Sequence, residues 1–413
     1  MSVMVVGVFV AVLVLIVVGP DVRAAKKPPV RGTKKPPAAV AVTSRSPMVV
    51  LGFNDLGMHC MNQDFSEICI LPPYNNLHAQ VIDRSGEEPR IVTSGVQVNY
   101  SIPGNTKSST KTNFWQYARS LLNLSTPLPL DVGLTGNKLA GTMKRVPGGN
   151  DWVATGIPIT PWTDALANNP FQLGLIQVLK SGKVQATTQA VVPVSWEINC
   201  NICHTGGNGL SVAGDILSRH DQLHSTTLLA QSRLGKPVLC ASCHADPALG
   251  TAGLPGVKTM SAAMHGSHAN RMGPAAAFVS NSCYACHPGK QTECLRDVHF
   301  AKYNMTCIDC HGDMAAVGSP TRRPWVDEPK CASCHNKRGF AFEEPGKLYK
   351  DSRGHNGVKC ASCHGSPHAI TPTVTAPDNV QAIALQGHAG TINDCTVCHR
   401  TRPRDAFNHS LDD

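Results

Sequence analysis

Between Cys200 and His399 the pentapeptide Cys-x-x-Cys-His recurs seven times, and no other feature of the 413-residue chain limits its fold so strongly. The copies are Cys200–Cys203–His204, Cys240–Cys243–His244, Cys283–Cys286–His287, Cys307–Cys310–His311, Cys331–Cys334–His335, Cys360–Cys363–His364 and Cys395–Cys398–His399. Two thiols three residues apart, followed at once by an imidazole, are what covalent attachment of a c-type haem requires. The thiols bond to the porphyrin vinyl groups and the histidine reaches the iron as proximal ligand. Structural zinc would pair one Cys-x-x-Cys with a second or with a His pair, and would not need His after every second Cys. A thioredoxin-like Cys-x-x-Cys is expected once, beside a βαβ unit. Seven covalent haem c groups are therefore expected.

That number sets the architecture of the second half. Residues 200–399 leave about 29 residues per haem, and aromatic residues are only 5% of the chain. A conventional side-chain core is out of reach, so the macrocycles must supply most of the apolar interior. Successive motifs start 40, 43, 24, 24, 29 and 35 residues apart, too irregular for a solenoid. Residues 199–413 are expected to form an irregular multihaem cytochrome domain of short helices and loops, with little strand, in which Val212–Leu229 is the longest helix.

Residues 48–198 hold no such motif and follow a different period. Val96-Gln97-Val98-Asn99-Tyr100-Ser101-Ile102 alternates as a half-buried strand does. Leu175–Leu179 and Val184–Val194 flank Lys180-Ser181-Gly182-Lys183 as a hairpin. Pro47–Phe53, Leu77–Asp83, Lys138–Lys144 and Trp152–Ile159 are further strands, and Phe114–Leu122 is a short helix or an aromatic loop. The expectation is a two-domain chain with an N-terminal all-β sandwich.

Ahead of it, Val3–Gly19 is an apolar run followed by Val22-Arg23-Ala24, which predicts a signal peptide over residues 1–24. An uncleaved anchor is the alternative, because the basic residues follow the run and do not precede it. Residues 25–47, rich in Lys, Pro and Ala, read as an extended tether. Residues 1–46 carry seven basic residues and one acid, hence +6 of the formal +9. With about two propionate charges per haem, the remainder is neutral to acidic. Nothing points to nucleic acid. Because haem c is attached outside the cytoplasmic membrane, the chain is expected in the periplasm or at the outer cell surface, with membrane association through its N-terminal segment and oligomers both compatible with the sequence.

Eleven histidines remain beyond the seven proximal ones, a surplus that favours His/His axial ligation over His/Met. His299, His355 and His388 each precede a motif closely. His220 and His224 fall at i and i+4 on the expected helix. His265 and His268 form a second close pair, His368 follows the sixth motif, and His409 lies near the C-terminus. These nine are the distal candidates. His59 and His78 lie in the β region; one could reach the first haem, or both could be satisfied locally. Cys60 and Cys69, with eight residues between them, could form a disulfide. Cys294 then has no partner.

The seven motifs, the placement of the distal candidates and the export signal resemble those of multihaem c-type cytochromes exported by bacteria that respire metals and other external acceptors. The resemblance is specific for residues 200–399 and implies closely packed bis-His haems that pass electrons to redox partner proteins or an external acceptor. It makes an electron-transfer role in anaerobic or extracellular respiration the expected function, with no catalytic residue of its own. The alternative is a multihaem reductase of nitrite, hydroxylamine or a sulfur oxyanion, which needs one open iron. The Cys-x-x-Cys-Lys motif of pentahaem nitrite reductases does not occur. An adhesive role for the β region could accompany either.

Overall fold

Strand β1 (Met48–Phe53) is buried along its whole length, and its two faces serve different cores. Met48 and Val50 point into the interior of the β region, whereas Val49 and Leu51 meet Ala382, Ile392 and Val397 from the far end of the chain. A strand buried on both faces reads as an unbroken apolar run, and Met-Val-Val-Leu-Gly-Phe does. The computed structural model describes residues 46–337 and 342–404, all within one compact unit. The N-terminal apolar run, nearly all of the tether, and His409 lie outside those residues. No described helix is long and apolar enough to cross a membrane.

Two five-stranded sheets pack across a shared core. The first joins β1, β4 (Leu77–Asp83), β9 (Trp152–Ala154) and β8 (Lys144–Arg145) in that order, with β5 (Arg90–Val92) also on β4. The second runs β2 (His59–Cys60), β11 (Lys183–Ser195), β10 (Phe171–Lys180), β6 (Gln97–Ser101) and β7 (Ala140–Thr142). The β10–β11 hairpin turns at Ser181 and Gly182, both at positive φ (51° and 74°), the mirror-image turn that matches strand twist. Helix α1 (Phe114–Leu121) packs Phe114, Trp115, Ala118 and Leu121 onto the core.

The structure departs from the sequence pattern at two strands. Lys138–Lys144 is not one strand: β7 pairs with β6, β8 pairs with β9, and the buried Met143 between them is where the chain changes sheets. Trp152–Ile159 stops at Ala154, because Gly156 takes φ +64° and Pro158 lacks a backbone donor.

Beyond Cys200 the elements are short. Val212–Leu229 is broken into α2 (Val212–His224) and α3 (Leu228–Arg233) by a left-handed Ser225. The Asp221 carboxylate fixes the break by accepting from Thr226 Oγ1 (2.6 Å) and from the N–H groups of Leu228 (2.8 Å) and Leu229 (2.9 Å) at the start of α3. The other helices are α4 (Met260–His268), α5 (Val298–Tyr303), α6 (Cys307–His311), α7 (Met314–Val317), α8 (Cys360–His364) and α9 (Ala376–Gln386).

The seam between the halves is closed by side-chain amides and one ion pair. Gln381 of α9 accepts from Gly52 N–H (2.6 Å) and donates to Gly52 C=O (3.0 Å), covering the edge strand β1. Gln80 of β4 accepts from Lys359 N–H and Ser362 Oγ, at the foot of the sixth motif. Arg296, fully buried, makes a bidentate pair with Asp378 (2.6 and 2.9 Å). A two-residue strand, β12 (Val238–Leu239), adds in parallel to β3 (Ile68–Cys69). Cys60 and Cys69 do not face one another. Cys60 lies beside Ser195 and Cys69 beside Leu239, and the two are not bonded to each other.

Candidate haem sites

Each motif is one turn of helix. In five of them the His N–H bonds to the C=O of the first Cys at 2.8–3.1 Å, as for His204 to Cys200 and His399 to Cys395. The other two, Cys307–His311 and Cys360–His364, are α6 and α8 themselves. Residues i, i+3 and i+4 of a turn share a face, so both sulfurs and the imidazole point to one side.

Opposite them stand other histidines. Two imidazoles that each reach one iron through a nitrogen at roughly 2.0 Å have ring centroids about 6 Å apart. Among the described residues, six of the seven motif histidines meet a second histidine at that separation. His204 faces His268 at 6.4 Å, His244 faces His220 at 6.4 Å, and His287 faces His265 at 6.1 Å. His311 faces His368 at 6.0 Å, His335 faces His299 at 6.1 Å, and His399 faces His355 at 6.0 Å. The same separation recurs six times, each time between a motif histidine and a histidine outside the motifs. The donor set therefore fits haem iron.

The outer ring nitrogens fix several of these rings. Nδ1 of His265 donates to Ser261 C=O (2.8 Å), Nδ1 of His268 to Met264 C=O (2.7 Å) and Nδ1 of His244 to Lys258 C=O (2.8 Å), an arrangement in which Nε2 is the nitrogen free to bind a metal. His299 Nδ1 lies 3.2 Å from Asp297 and His204 Nδ1 3.4 Å from Asp215. Burial pushes His287 and His368 down to about 4, and lowers His204, His220, His265 and His311. All six are neutral near pH 7, the form that binds a metal.

The remaining candidates fall elsewhere. His224 leans on His220 at 4.8 Å and faces no motif histidine. His388 is exposed, with Nδ1 donating to Ala389 C=O (3.0 Å), and is not a member of the six pairs. His364 ends α8, its carbonyl accepting from Thr371 N–H (2.8 Å). In the β region His59 donates from Nε2 to Pro72 C=O (2.7 Å). His78 lies between Asp151 (2.7 Å) and Asp55 (3.3 Å), stacked on Phe53. Both β-region histidines are thus engaged within the β region.

Shared elements set the order of the sites in space, a relation that motif spacing does not reveal. Helix α2 presents Asp215 to His204 and His220 to His244, joining sites one and two. Helix α4 carries His268 for site one and His265 for site three, and Asn199 also donates to Tyr284 C=O between the same two sites (3.2 Å). The Cys283 and Cys307 sulfurs of sites three and four are neighbours. His368, four residues past His364, links sites four and six. Ile392 N–H donates to Cys363 C=O (3.0 Å), linking sites six and seven. Tyr349, half-buried near Cys331 and Cys360, links sites five and six. Cys310 of site four also lies near Cys334 of site five, so site five is joined to two neighbours and sites two and seven are the ends.

Residues 322–400, which hold the motifs at Cys331, Cys360 and Cys395, match the family model described as cytochrome c7 and related cytochrome c. Over that stretch the chain is similar to multihaem c-type cytochromes, electron-transfer proteins with covalently bound haem c. No curated protein and no solved structure matches the chain.

Proposed function

We propose that the chain is an exported electron-transfer protein that holds seven haem c groups, at least six of them between two histidines, in a series whose ends are the sites at Cys240 and Cys395. The six histidine pairs 6.0–6.4 Å apart carry the reading. Bound haem c supplies a one-electron Fe(III)/Fe(II) couple and a broad apolar plate. The chain's residues do the rest. Fourteen cysteines would hold the plates covalently, the six imidazole pairs would each bind an iron and leave it closed to a substrate, and α2 and α4 each carry residues of two sites. Irons closed in this way would favour electron transfer over small-molecule reduction, and His/His ligation would give low potentials. Electrons would enter at one end of the series and leave at the other, toward a partner protein or an external acceptor.

Intact mass spectrometry of the denatured protein should show seven haems, about 4.3 kDa in all. Electron paramagnetic resonance of the oxidised protein should be dominated by low-spin iron. His268→Ala and His265→Ala should each turn one site high-spin, whereas His388→Ala should leave the spectrum unchanged. A mass for four or five haems, or several high-spin irons in the native chain, would defeat the reading.

A further inference from the structure

Fourteen of the seventeen cysteines belong to motifs, which leaves Cys60, Cys69 and Cys294. Two of these meet at the seam. Strand β2 lies parallel to the end of β11 with Cys60 beside Ser195, and Met61 N–H donates to Ser195 C=O (2.8 Å). Partners in a parallel pair point to the same face of the sheet. The Ser195 hydroxyl on that face meets the Thr292 hydroxyl at 3.0 Å, two residues before Cys294. The loop that carries Cys294 is held there firmly. Glu197 accepts from the N–H groups of Lys290 (2.6 Å), Gln291 (2.8 Å) and Thr292 (2.8 Å), and Arg296 donates to Cys294 C=O (3.1 Å). Cys60 therefore projects onto the loop where Cys294 lies.

We propose that Cys60 and Cys294 form a disulfide that fastens the β half to the segment after the third motif, and that Cys69 stays a thiol. Cys69 is buried beside Cys240, a sulfur already committed to the second motif. The bond needs an oxidant, here an exchangeable protein disulfide of the compartment in which haem is attached. One cysteine thiolate attacks that disulfide, forms a mixed disulfide and releases the oxidant's first thiol. The second cysteine attacks the mixed bond and releases the other. Two thiols become one disulfide, the oxidant gains two electrons, and the two protons end on its thiols.

Folding must follow the bond. Burial, reinforced by the neighbouring Cys294 and Glu197, pushes the Cys60 thiol well above its ordinary range. Burial, opposed by Arg296 and aided by Glu197, pushes Cys294 up to about 11. Neither is a nucleophile once enclosed, so the exchange belongs to the chain before the loop closes on β2.

The inference rests on export, and haem attachment reports export separately. The full-length haem-loaded protein is denatured in iodoacetamide, without and with prior reduction, and mapped by mass spectrometry. The expected result is one alkylated residue, Cys69, before reduction, a Cys60–Cys294 linked peptide, and three alkylated residues afterwards. Three alkylated residues before reduction on a chain that carries its haems, or a link from Cys69 to either partner, would overturn the disulfide while leaving the export reading intact. Cys60→Ser and Cys294→Ser should lower Tm by the same amount, with the double variant no lower than either; additive losses also count against it.

Discussion

The two halves solve the problem of an apolar interior in opposite ways. Among the described residues, 35 buried apolar side chains lie before residue 200 and 13 after it, and seven of those 13 are alanines. The exposed large apolar residues invert that ratio. Three lie in the first half, and twelve, including Leu223, Phe278, Tyr303, Ile308 and Trp325, in the second. The β half stabilises itself by side-chain burial. The second half places small residues inside and apolar ones on its outer faces around the motifs, which suits a chain wrapped on flat apolar plates and would be unstable as a self-contained core.

The hardest test of that contrast is to make the chain where haem cannot be attached, or with every motif cysteine changed to alanine. Residues 199–404 should then lose cooperative structure altogether and be digested by protease within minutes. Residues 46–198 should persist as a resistant fragment with strand-type circular dichroism, weakened by the loss of Leu239, Ala241, Ala382 and Ile392 from its surface. A haem-free chain that unfolds as one cooperative whole would show that the second half needs no plates.

The next largest effect is expected at the seam. Arg296 and Asp378 are 0% and 5% exposed at their side chains, and the guanidinium also lies 5.1 Å from the centre of the Phe171 ring. Removing one partner leaves a buried charge uncompensated, at about 3–5 kcal/mol. Arg296→Met should therefore destabilise more than Arg296→Met with Asp378→Leu. If the single variant matches the double in urea unfolding, the pair is not the fastener that the geometry describes.

How much of this was legible beforehand follows from where the information resides. The proximal sites are local, one turn of five residues each, and the motif alone gives them. Eight of the nine distal candidates lie among the described residues and six of them stand opposite a motif histidine, but which motif each meets needs the fold. His268 and His265 sit three residues apart yet serve different motifs, and His355 lies close to Cys360 but faces His399. Strand positions such as Leu77–Asp83 follow from alternation. The sheet change at Met143 and the helix break at Ser225 do not, since each is decided by contacts with distant residues or by one carboxylate. That the apolar cores run across residue 198 is likewise invisible in a pattern read one segment at a time.

A third prediction concerns pH and belongs to the β half alone. Burial acts to lower the pKa of His78, but the Asp151 carboxylate, which accepts from Nδ1, and the neighbouring Asp55 carboxylate outweigh it and raise the group to about 9. The folded value lies above the unfolded one of 6.5, so the stabilisation is full below pH 6.5 and fades as pH rises through 9. The shift corresponds to at most a few kcal/mol. Urea midpoints should fall between pH 6.5 and 9.5 in the native chain and stay level in His78→Gln. A native chain with level midpoints over that range would place a neutral imidazole between the two carboxylates.

The smallest effect separates helix stability from site geometry. Ser211 caps α2, its hydroxyl accepting from Gly214 N–H at 2.8 Å, and it also meets Glu67 of the β half. Ser211→Ala should remove about 1 kcal/mol, the usual worth of such a cap. Yet α2 is held from both sides once its sites are filled, through His220 opposite His244 and Asp215 beside His204. The low-spin signal and the potentials of sites one and two should therefore be unchanged in Ser211→Ala, although urea unfolds it earlier. If a new high-spin signal accompanies the loss of stability, α2 is positioned by its contact with the β half. The second half would then depend on the first for its ligands as well as for its seam.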